Sequence, residues 1–369
     1  METYTREAGL SLIELLVSMV IAGIIFAGVL NVVVNSRSSF VNEEEVSFIQ
    51  ENIRFARDVL SRDIRMAGNM GCAMASITSV VNAIENDVNG LIGGEAIVGF
   101  EGTASMAGFP EAFRDNAIKS ATVTPVGSDA MILRYADPDT VVVVDGKTNP
   151  ASATIKLKSK HSFSNGQILM IVDGNCSRAG IFRKTAGNDT QINHNTGKGS
   201  TPGNCTHILR APSSLNCQTP PGCGPTKCGT TTAKAFNAGY DDGSTVMSFV
   251  SNAYYVGQSV HRDMTALKRT ITSSTGDEFE EELVEGVERM ELQFGSDSDA
   301  DGVIDVFLNA NDVTDWNAVL AVRFSLLIRS RSEVLDSAQQ HTYLGTTYND
   351  RYMRQLVSST VKLRNRGGL

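Results

Sequence analysis

The 369-residue chain is poor in several residues that enzymes and nucleic-acid-binding proteins rely on. It has five histidines and one tryptophan, and its 41 aspartates and glutamates outnumber 32 lysines and arginines, for a formal net charge of −9. Such an excess of negative charge repels phosphate backbones, so we expect no specific nucleic-acid partner. Neither the G-x-S-x-G motif of serine hydrolases nor the H-E-x-x-H motif of zinc proteases occurs. We therefore predict that the chain is not an enzyme.

No proline occurs before Pro110, and one long apolar run dominates the beginning of this proline-free region. The run follows a short polar segment, Met1–Gly9, and extends over residues 10–34 with Glu14 as its only ionisable side chain. As a helix it would be about 37 Å long, enough to cross the ~30 Å hydrocarbon core of a bilayer. We therefore predict that it is a transmembrane segment.

Three kinds of amino-terminal segment could account for this run. A secretory signal peptide has an apolar core of about 7–15 residues followed by a small-x-small cleavage site, and this run is longer and lacks such a site. A simple signal anchor fits the length, but a carboxylate inside an apolar segment is costly and usually has a function. Glu14 therefore favours a third alternative, in which this carboxylate has a function of its own within the apolar segment.

The junction between the polar segment and the apolar run reads GLSLIE over residues 9–14. This pattern resembles the processing site of type IV prepilins and type II secretion pseudopilins. In those proteins a prepilin peptidase cuts after the glycine, here Gly9, and methylates the new amino terminus, here Leu10, although phenylalanine is more frequent at that position. The resemblance implies that Glu14 neutralises the amino terminus of a neighbouring subunit when the helices pack into a filament.

A helical pattern continues beyond the apolar run. Apolar residues recur at steps of three and four, at Val46, Ile49, Ile53, Ala56, Leu60, Ile64 and Ala67, and charged residues fill the opposite face, at Arg54, Arg57, Asp58, Arg62, Asp63 and Arg65. This spacing predicts one helix over residues 10–67, whose second half packs against a globular head, with Gly68 as its stop. Residues 62–68 (RDIRMAG), followed by Gly71-Cys72, resemble a segment characteristic of PilW-type minor pilins.

From residue 121 onward, short β-like runs alternate with turn residues. The candidate strands are 129–135, 140–144, 154–157, 167–172, 244–256, 288–294, 318–329 and 355–365. Residues 283–294, Trp316 and residues 360–365 are similar to the carboxyl-terminal part of the PilW family and of J-type pseudopilins. We therefore predict an α+β, pilin-like fold, with a leader (1–9), the helix (10–67) and a head (68–369) in which the helix packs on an antiparallel β-sheet.

Two charged segments of the head are interpreted without a specific function. The run DEFEEELVE (277–285) is interpreted as a solvated acidic face. The carboxyl-terminal basic residues are interpreted as solvated side chains of a final strand; they are Arg351, Arg354, Lys362, Arg364 and Arg366.

Six cysteines are present, Cys72, Cys176, Cys205, Cys217, Cys223 and Cys228. In a head beyond the inner membrane such thiols are usually oxidised. The last four lie in a stretch rich in proline and glycine, which predicts a surface loop stapled by disulfides, although six cysteines allow about 15 pairings and sequence cannot choose among them. A four-cysteine zinc site is the alternative, but the spacing lacks the paired CxxC of such sites.

An aspartate-rich segment, SDSDADGVIDVFL (296–308), resembles a calcium-binding loop. Its ligand positions would be Asp297, Asp299, Asp301, the carbonyl of Val303 and Asp305, with Gly302 at the sharp turn. Leu308 stands where such loops carry a bidentate glutamate, so Asp312 or Asp315 would have to complete the shell. We predict a structural calcium ion and no organic cofactor; an acidic hairpin loop without an ion is the alternative.

The resemblance as a whole implies a minor pilin that helps to prime a type IV pilus and lies at or near its tip, with roles in twitching motility, adhesion or DNA uptake. The implied partners are other minor pilins, the major pilin, the prepilin peptidase, the inner-membrane assembly platform and a tip adhesin. The protein would lie in the inner membrane with a periplasmic head before assembly, and in the pilus on the cell surface afterwards. The alternatives are a minor pseudopilin of a type II secretion system and a membrane-anchored periplasmic enzyme or sensor.

Overall fold

The computed structural model describes residues 11–71, 79–85, 91–92, 95–102, 127–149, 152–196, 203–206, 209, 217–218, 227–228, 239–272 and 278–366. Its helix is α1 (Leu12–Met66). The strands that follow are β1 (Ser79–Asn82), β2 (Ile84–Glu85), β3 (Ile97–Phe100), β4 (Ala130–Val143), β5 (Thr154–Lys156), β6 (Ile168–Val172), β7 (Arg178–Arg183), β8 (Ala186–Asn188), β9 (Gln191–Asn193), β10 (Gly203–Asn204), β11 (Cys217–Gln218), β12 (Lys227–Cys228), β13 (Thr245–Gln258), β14 (Thr265–Thr272), β15 (Glu278–Glu285), β16 (Val287–Ser296), β17 (Val306–Leu308), β18 (Val319–Glu333), β19 (Gln339–Tyr343), β20 (Thr346–Asp350) and β21 (Tyr352–Lys362).

The long helix forms where the apolar periodicity predicts it. The side chain of Ser11 caps its first turn, and Gly68, at φ 77°, turns the chain just beyond its last residue, a conformation that glycine adopts without strain. Five members of the predicted apolar stripe are buried, and they are Ile49, Ala56, Leu60, Ile64 and Ala67. The second half of α1 thus packs against the head as the spacing predicts, and it contacts β18, β21, β15 and β4.

The head contains two main sheets, where the sequence suggested a single antiparallel one. The first has eight strands, in the order β1-β7-β6-β13-β14-β15, with β4 also pairing β13 and β3 pairing β4; only β1 and β7 pair in parallel in this sheet. The second is antiparallel, in the order β17-β16-β18-β21. Phe294 and Phe324 of this second sheet share one buried cluster with Leu60 of α1 and Tyr254 of the first sheet, so both sheets contribute to the core that holds the helix.

The acidic run predicted to be a solvated face forms the edge strand β15 instead. It pairs antiparallel with β14, where Lys268 meets Glu280 at 2.7 Å and Arg269 meets Glu281 at 2.6 Å. Opposite charges placed across neighbouring strands stabilise a pair, and they offset the low strand propensity of glutamate. The sequence interpretation failed because the basic partners lie on a different strand.

The interpretation of the carboxyl-terminal basic residues is wrong for two of them. The side chain of Arg354 is only 4% exposed and lies 2.6 Å from carboxylate oxygens of both Glu288 and Asp350. Arg366 is buried as well and donates to the carbonyl oxygen of Trp316. These guanidinium groups therefore hold the head together, and they are not available to a nucleic-acid phosphate.

Candidate functional site

The first half of α1 stands clear of the head and presents apolar side chains to its surroundings. All described side chains of residues 11–41 are exposed, including Leu12, Ile24 and Phe26. By length and composition this helix could cross a membrane. An apolar surface of this size does not persist in water, so it requires lipid or other helices around it.

Glu14 is built into the start of this helix. Its Oε2 accepts a hydrogen bond from the backbone N–H of Ser11 at 3.0 Å, while the Ser11 hydroxyl accepts one from the N–H of Ile13 at 3.4 Å. This reciprocal arrangement is a capping box, which satisfies N–H groups that have no partner within the helix. The carboxylate is therefore held at the first described turn of the helix. Gly9 and Leu10, the other predicted processing residues, lie outside the described residues.

Asp63 is a buried anchor that the sequence analysis placed on the polar face of the helix. It is 1% exposed, and its Oδ2 accepts hydrogen bonds of 2.5 Å from both Asn252 Nδ2 and the hydroxyl of Tyr254. Arg269 lies 3.7 Å away. In the sequence, the RDIRMAG segment was the only signal for this role. The structure shows what its aspartate does: Asp63 fixes the end of the helix to β13.

A second anchor lies where the helix enters the head. Glu45 is 4% exposed and accepts hydrogen bonds from the backbone N–H of Arg331 at 2.7 Å and from the hydroxyl of Ser332 at 3.1 Å. The Arg331 guanidinium also lies 2.9 Å from Glu44 and covers the ring of Phe48. These contacts hold the helix rigidly at the end of β18.

The aspartate-rich segment forms the loop between β16 and β17. Asp297, Asp299 and Asp305 each place a carboxylate oxygen within 4.8 Å of the others, so three of the four predicted carboxylate ligands converge. Asp301 is not in this group; its Oδ1 accepts from the N–H of Val303, whose side chain is exposed. The N–H of Asp301 lowers the pKa of Asp299, but the carboxylates of Asp301, Asp305 and Asp297 outweigh it and raise that pKa above its ordinary value.

A cavity of about 560 Å³ adjoins this loop. It is lined by Asp297 from the loop and by Asp315 from the turn before β18. Asp315 was one of the two residues that the sequence suggested as a further oxygen donor, and it shares this cavity with a member of the carboxylate group. Its Oδ1 accepts from the N–H of Asn317 at 2.9 Å.

The described residues give a partial account of the cysteines. Neither Cys176 nor Cys205 carries a free thiol. Cys217 and Cys228 lie opposite each other in the β11–β12 ladder, but their side chains, like Cys72 and Cys223, lie outside the described residues. The pairing and the disulfide-stapled loop therefore stay predictions.

Comparison with known families defines the class of this protein first. Residues 4–30 match the prokaryotic N-terminal methylation motif, which covers the predicted processing site and α1 as far as residue 30. Together with the long helix and the sheet-rich head, this match defines a pilin-like protein with a prepilin-type amino terminus.

A second match narrows the class. Residues 253–365, which include β14 to β21 and the aspartate-rich loop, match the family of type IV pilus-assembly protein W, PilW. No curated protein and no solved structure matches the chain. The two family matches confirm the resemblance to prepilins and to the PilW family stated from the sequence, and they support a type IV pilus-related pilin. They point to a structural component of a pilus.

Proposed function

We propose that this protein is a minor pilin that helps to prime the assembly of a type IV pilus and takes a position at or near its tip. The observation that carries the proposal is the exposed apolar segment of α1, residues 11–34, whose single ionisable side chain, Glu14, lies at its start. An apolar helix of this kind supplies the packing surface of a helical filament. Before assembly the same surface lies in the bilayer. The partners would be other minor pilins, the major pilin, the prepilin peptidase, the assembly platform and a tip adhesin.

The geometry of Glu14 suggests how one carboxylate serves both its own helix and a neighbour. Oε2 caps the helix through Ser11, whereas Oε1 accepts no hydrogen bond from any of the described residues. A second oxygen is therefore available for the ammonium group of an adjacent subunit. Pairing the two charges removes much of the cost of holding each in apolar surroundings, and it fixes the register between subunits.

The size of the head favours an end position over a place along the filament body. The described residues of the head form two main sheets and several smaller ones, far more than is needed to cover the buried stripe of α1. A subunit inside a helical filament is surrounded by other heads, whereas a terminal subunit has neighbours on one side only. A large head is accommodated most easily at that end, where its free surface also faces the medium.

Deletion and complementation test this function. We expect a deletion strain to lose surface pili, the wild-type gene to restore them, and Glu14→Ala to fail although the protein reaches the membrane. Glu51→Ala changes an exposed glutamate in the head-bound half of the same helix and is the matched control, expected to complement fully. Normal piliation in the deletion strain would contradict the proposal, and loss of exoprotein secretion in its place would indicate a type II pseudopilin.

We further propose that the aspartate-rich loop binds a structural calcium ion. The support is the convergence of Asp297, Asp299 and Asp305 within 4.8 Å, with Asp315 across the adjoining cavity. Calcium takes six to eight hard oxygen ligands in flexible geometry, which suits carboxylates that come from two adjacent turns. The ion would neutralise carboxylates that otherwise repel one another.

Thermal unfolding of the full chain in detergent tests the calcium site. We expect millimolar Ca²⁺ to raise the midpoint by at least about 2 °C over a chelator, because an ion that binds only the folded state stabilises it. Asp299→Asn should abolish the difference. Asp336→Asn, an exposed aspartate outside the loop, is the matched control and should retain it. An unchanged midpoint in the wild-type protein would mean that the loop holds no ion.

A further inference from the structure

A polar cavity lies on the face of the second sheet that points away from α1. Its volume is about 320 Å³, within the range of small-molecule sites. Strands β16 and β18 form the floor, and the tip of the β19–β20 hairpin, at Leu344 and Gly345, forms the roof. The polar lining consists of Arg289, Glu291, Gln293, Asn309, Arg323 and Ser325. The cavity is therefore a half-open groove that is bordered by two elements and is rich in hydrogen-bonding groups.

The two guanidinium groups of the lining differ in how strongly they are hydrogen-bonded. Arg289 is fully engaged, with Nε 2.6 Å from Glu291 Oε1 and Nη1 2.5 Å from the hydroxyl of Thr346. Arg323 makes only long hydrogen bonds, of 3.3 Å to Gln293 Oε1 and 3.4 Å to the hydroxyl of Thr360. No carboxylate among the described residues lies within ion-pair distance of it. Arg323 is thus a cation in this cavity that has no anionic partner within the part of the chain that the structure describes.

Neighbouring side chains of the sheet hold the guanidinium group of Arg323 in position. Its guanidinium lies 3.9 Å from the ring centroid of Phe307, a contact that is attractive and orients the planar group. Gln293 lies directly opposite on β16, and Thr360 lies directly opposite on β21. The group is therefore held in place before any ligand arrives, which lowers the entropic cost of binding.

Neutral hydrogen-bonding groups surround this cation. Asn309 is exposed and precedes a 3₁₀ turn without capping it through its side chain, so its amide is free to bind a ligand. The hydroxyl of Ser325 shares one hydrogen bond of 2.7 Å with Ser358 and retains further capacity. With two guanidinium groups and one carboxylate, the lining carries one positive charge in excess, although the whole chain carries −9.

We propose that this cavity binds a sugar acid of monosaccharide size, with its carboxylate on Arg323 and its hydroxyl groups on Gln293, Asn309 and Ser325. A guanidinium fork matches a planar carboxylate, and amide and hydroxyl side chains match a polyhydroxylated ring. Glu291 accepts from sugar hydroxyls and disfavours a doubly charged phosphate, which it repels more strongly than a singly charged carboxylate. The inference concerns a ligand site on the head and does not depend on the proposed role in assembly.

Titration calorimetry on the full chain in detergent micelles tests this site, with D-glucuronate as the probe and D-glucose as its neutral counterpart. We expect glucuronate to bind with a Kd on the order of 1 mM and glucose to bind at least about tenfold more weakly. Arg323→Gln should weaken glucuronate binding about tenfold. Arg364→Gln makes the same chemical change at an exposed arginine outside the cavity and should leave the affinity unchanged.

A second variant tests the site independently, in case Arg323→Gln does not fold. Asn309→Ala removes a side chain that makes no cap bond, so the melting temperature should stay constant while glucuronate binding weakens. Glucuronate that binds no better than glucose, or equally well to Arg323→Gln, would overturn the proposal. Inorganic phosphate that binds more tightly than glucuronate and displaces it would also overturn it, because the site would then be a phosphate site.

Discussion

Asp129 is a single buried carboxylate that joins the two main sheets. Its Oδ1 accepts from the backbone N–H of Gly102 at 2.8 Å, and its Oδ2 accepts from the N–H of Leu292 on β16 at 2.7 Å. Burial raises the pKa of Asp129 to about 7; the two N–H groups lower it, and the charges of Glu291 and Glu101 raise it further. The folded head therefore keeps a proton on this residue at a pH where the unfolded chain has lost it.

This shift predicts a pH-dependent stability. Because the folded pKa is higher than the unfolded one, the contribution of Asp129 to the free energy of unfolding is complete below about pH 4 and is lost as the pH rises through about 7. We expect the melting temperature of the full chain to fall from pH 5 to about pH 8. Asp129→Asn should flatten this fall, whereas Asp139→Asn, at an exposed site, should not; equal slopes in all three proteins would contradict the assignment.

Asp63 predicts a large effect from a single side chain on the helix. Asp63→Ala removes the acceptor for Asn252 and Tyr254 and leaves both polar groups buried without it. We expect the free energy of unfolding to fall by about 3 kcal/mol, measured by urea unfolding in detergent. Asp58→Ala, on the exposed face of the same helix, should cost less than about 0.5 kcal/mol. A similar cost for the two variants would show that Asp63 is not an anchor.

At the scale of elements, the helix and most long strands could be predicted because their signals are local. The apolar stripe from Ile49 to Ala67 has the helical period, and the β16 alternation places Met290, Leu292 and Phe294 in the core, as the structure does. Edge strand β15 could not be predicted, because its glutamates are stabilised by Lys268 and Arg269 on β14. The burial of Asp63 could not be predicted, because the helical periodicity places it on the polar face and its partner Asn252 is distant in sequence.

The candidate sites also divide into those with a local sequence signal and those assembled from distant segments. The GLSLIE junction and the aspartate loop are contiguous in sequence, so their residues could be named in advance. The polar cavity is assembled from β16, β18, the turn after β17 and the tip of the β19–β20 hairpin, and no segment carries its pattern. Its hairpin roof was not predicted either, since β19 and β20 are mostly exposed and lack an apolar face.

The β19–β20 hairpin depends on Arg354 for its attachment. Arg354 joins Asp350 at the end of the hairpin to Glu288 on β16, and its guanidinium lies 4.1 Å from the ring centroid of Tyr348. We expect Arg354→Gln to lower the free energy of unfolding by about 3 kcal/mol and to speed amide hydrogen exchange in residues 339–350. Arg364→Gln is the exposed control. Unchanged exchange in the hairpin would show that other contacts hold it.

At the scale of the whole molecule, the match to the N-terminal methylation motif predicts that the leader is removed. We expect Gly9→Ala to accumulate as the full-length precursor, which migrates more slowly on a denaturing gel than the wild-type protein and carries no methylated Leu10 in mass spectrometry. Glu7→Ala, which alters the leader but keeps the glycine, should be processed normally. A Gly9→Ala protein that migrates with the mature form would contradict a prepilin-type precursor.

The exposed part of α1 is longer than the roughly 30 Å hydrocarbon core of a bilayer. Residues 12–41 make a stalk about 45 Å long, of which the apolar part, to residue 34, takes up about 35 Å. The remaining polar turns lift the head roughly 10 Å off the lipid surface. Because apolar side chains do not fix the rotation of a single helix in lipid, we expect the head to take a defined orientation only when a neighbouring subunit packs against it.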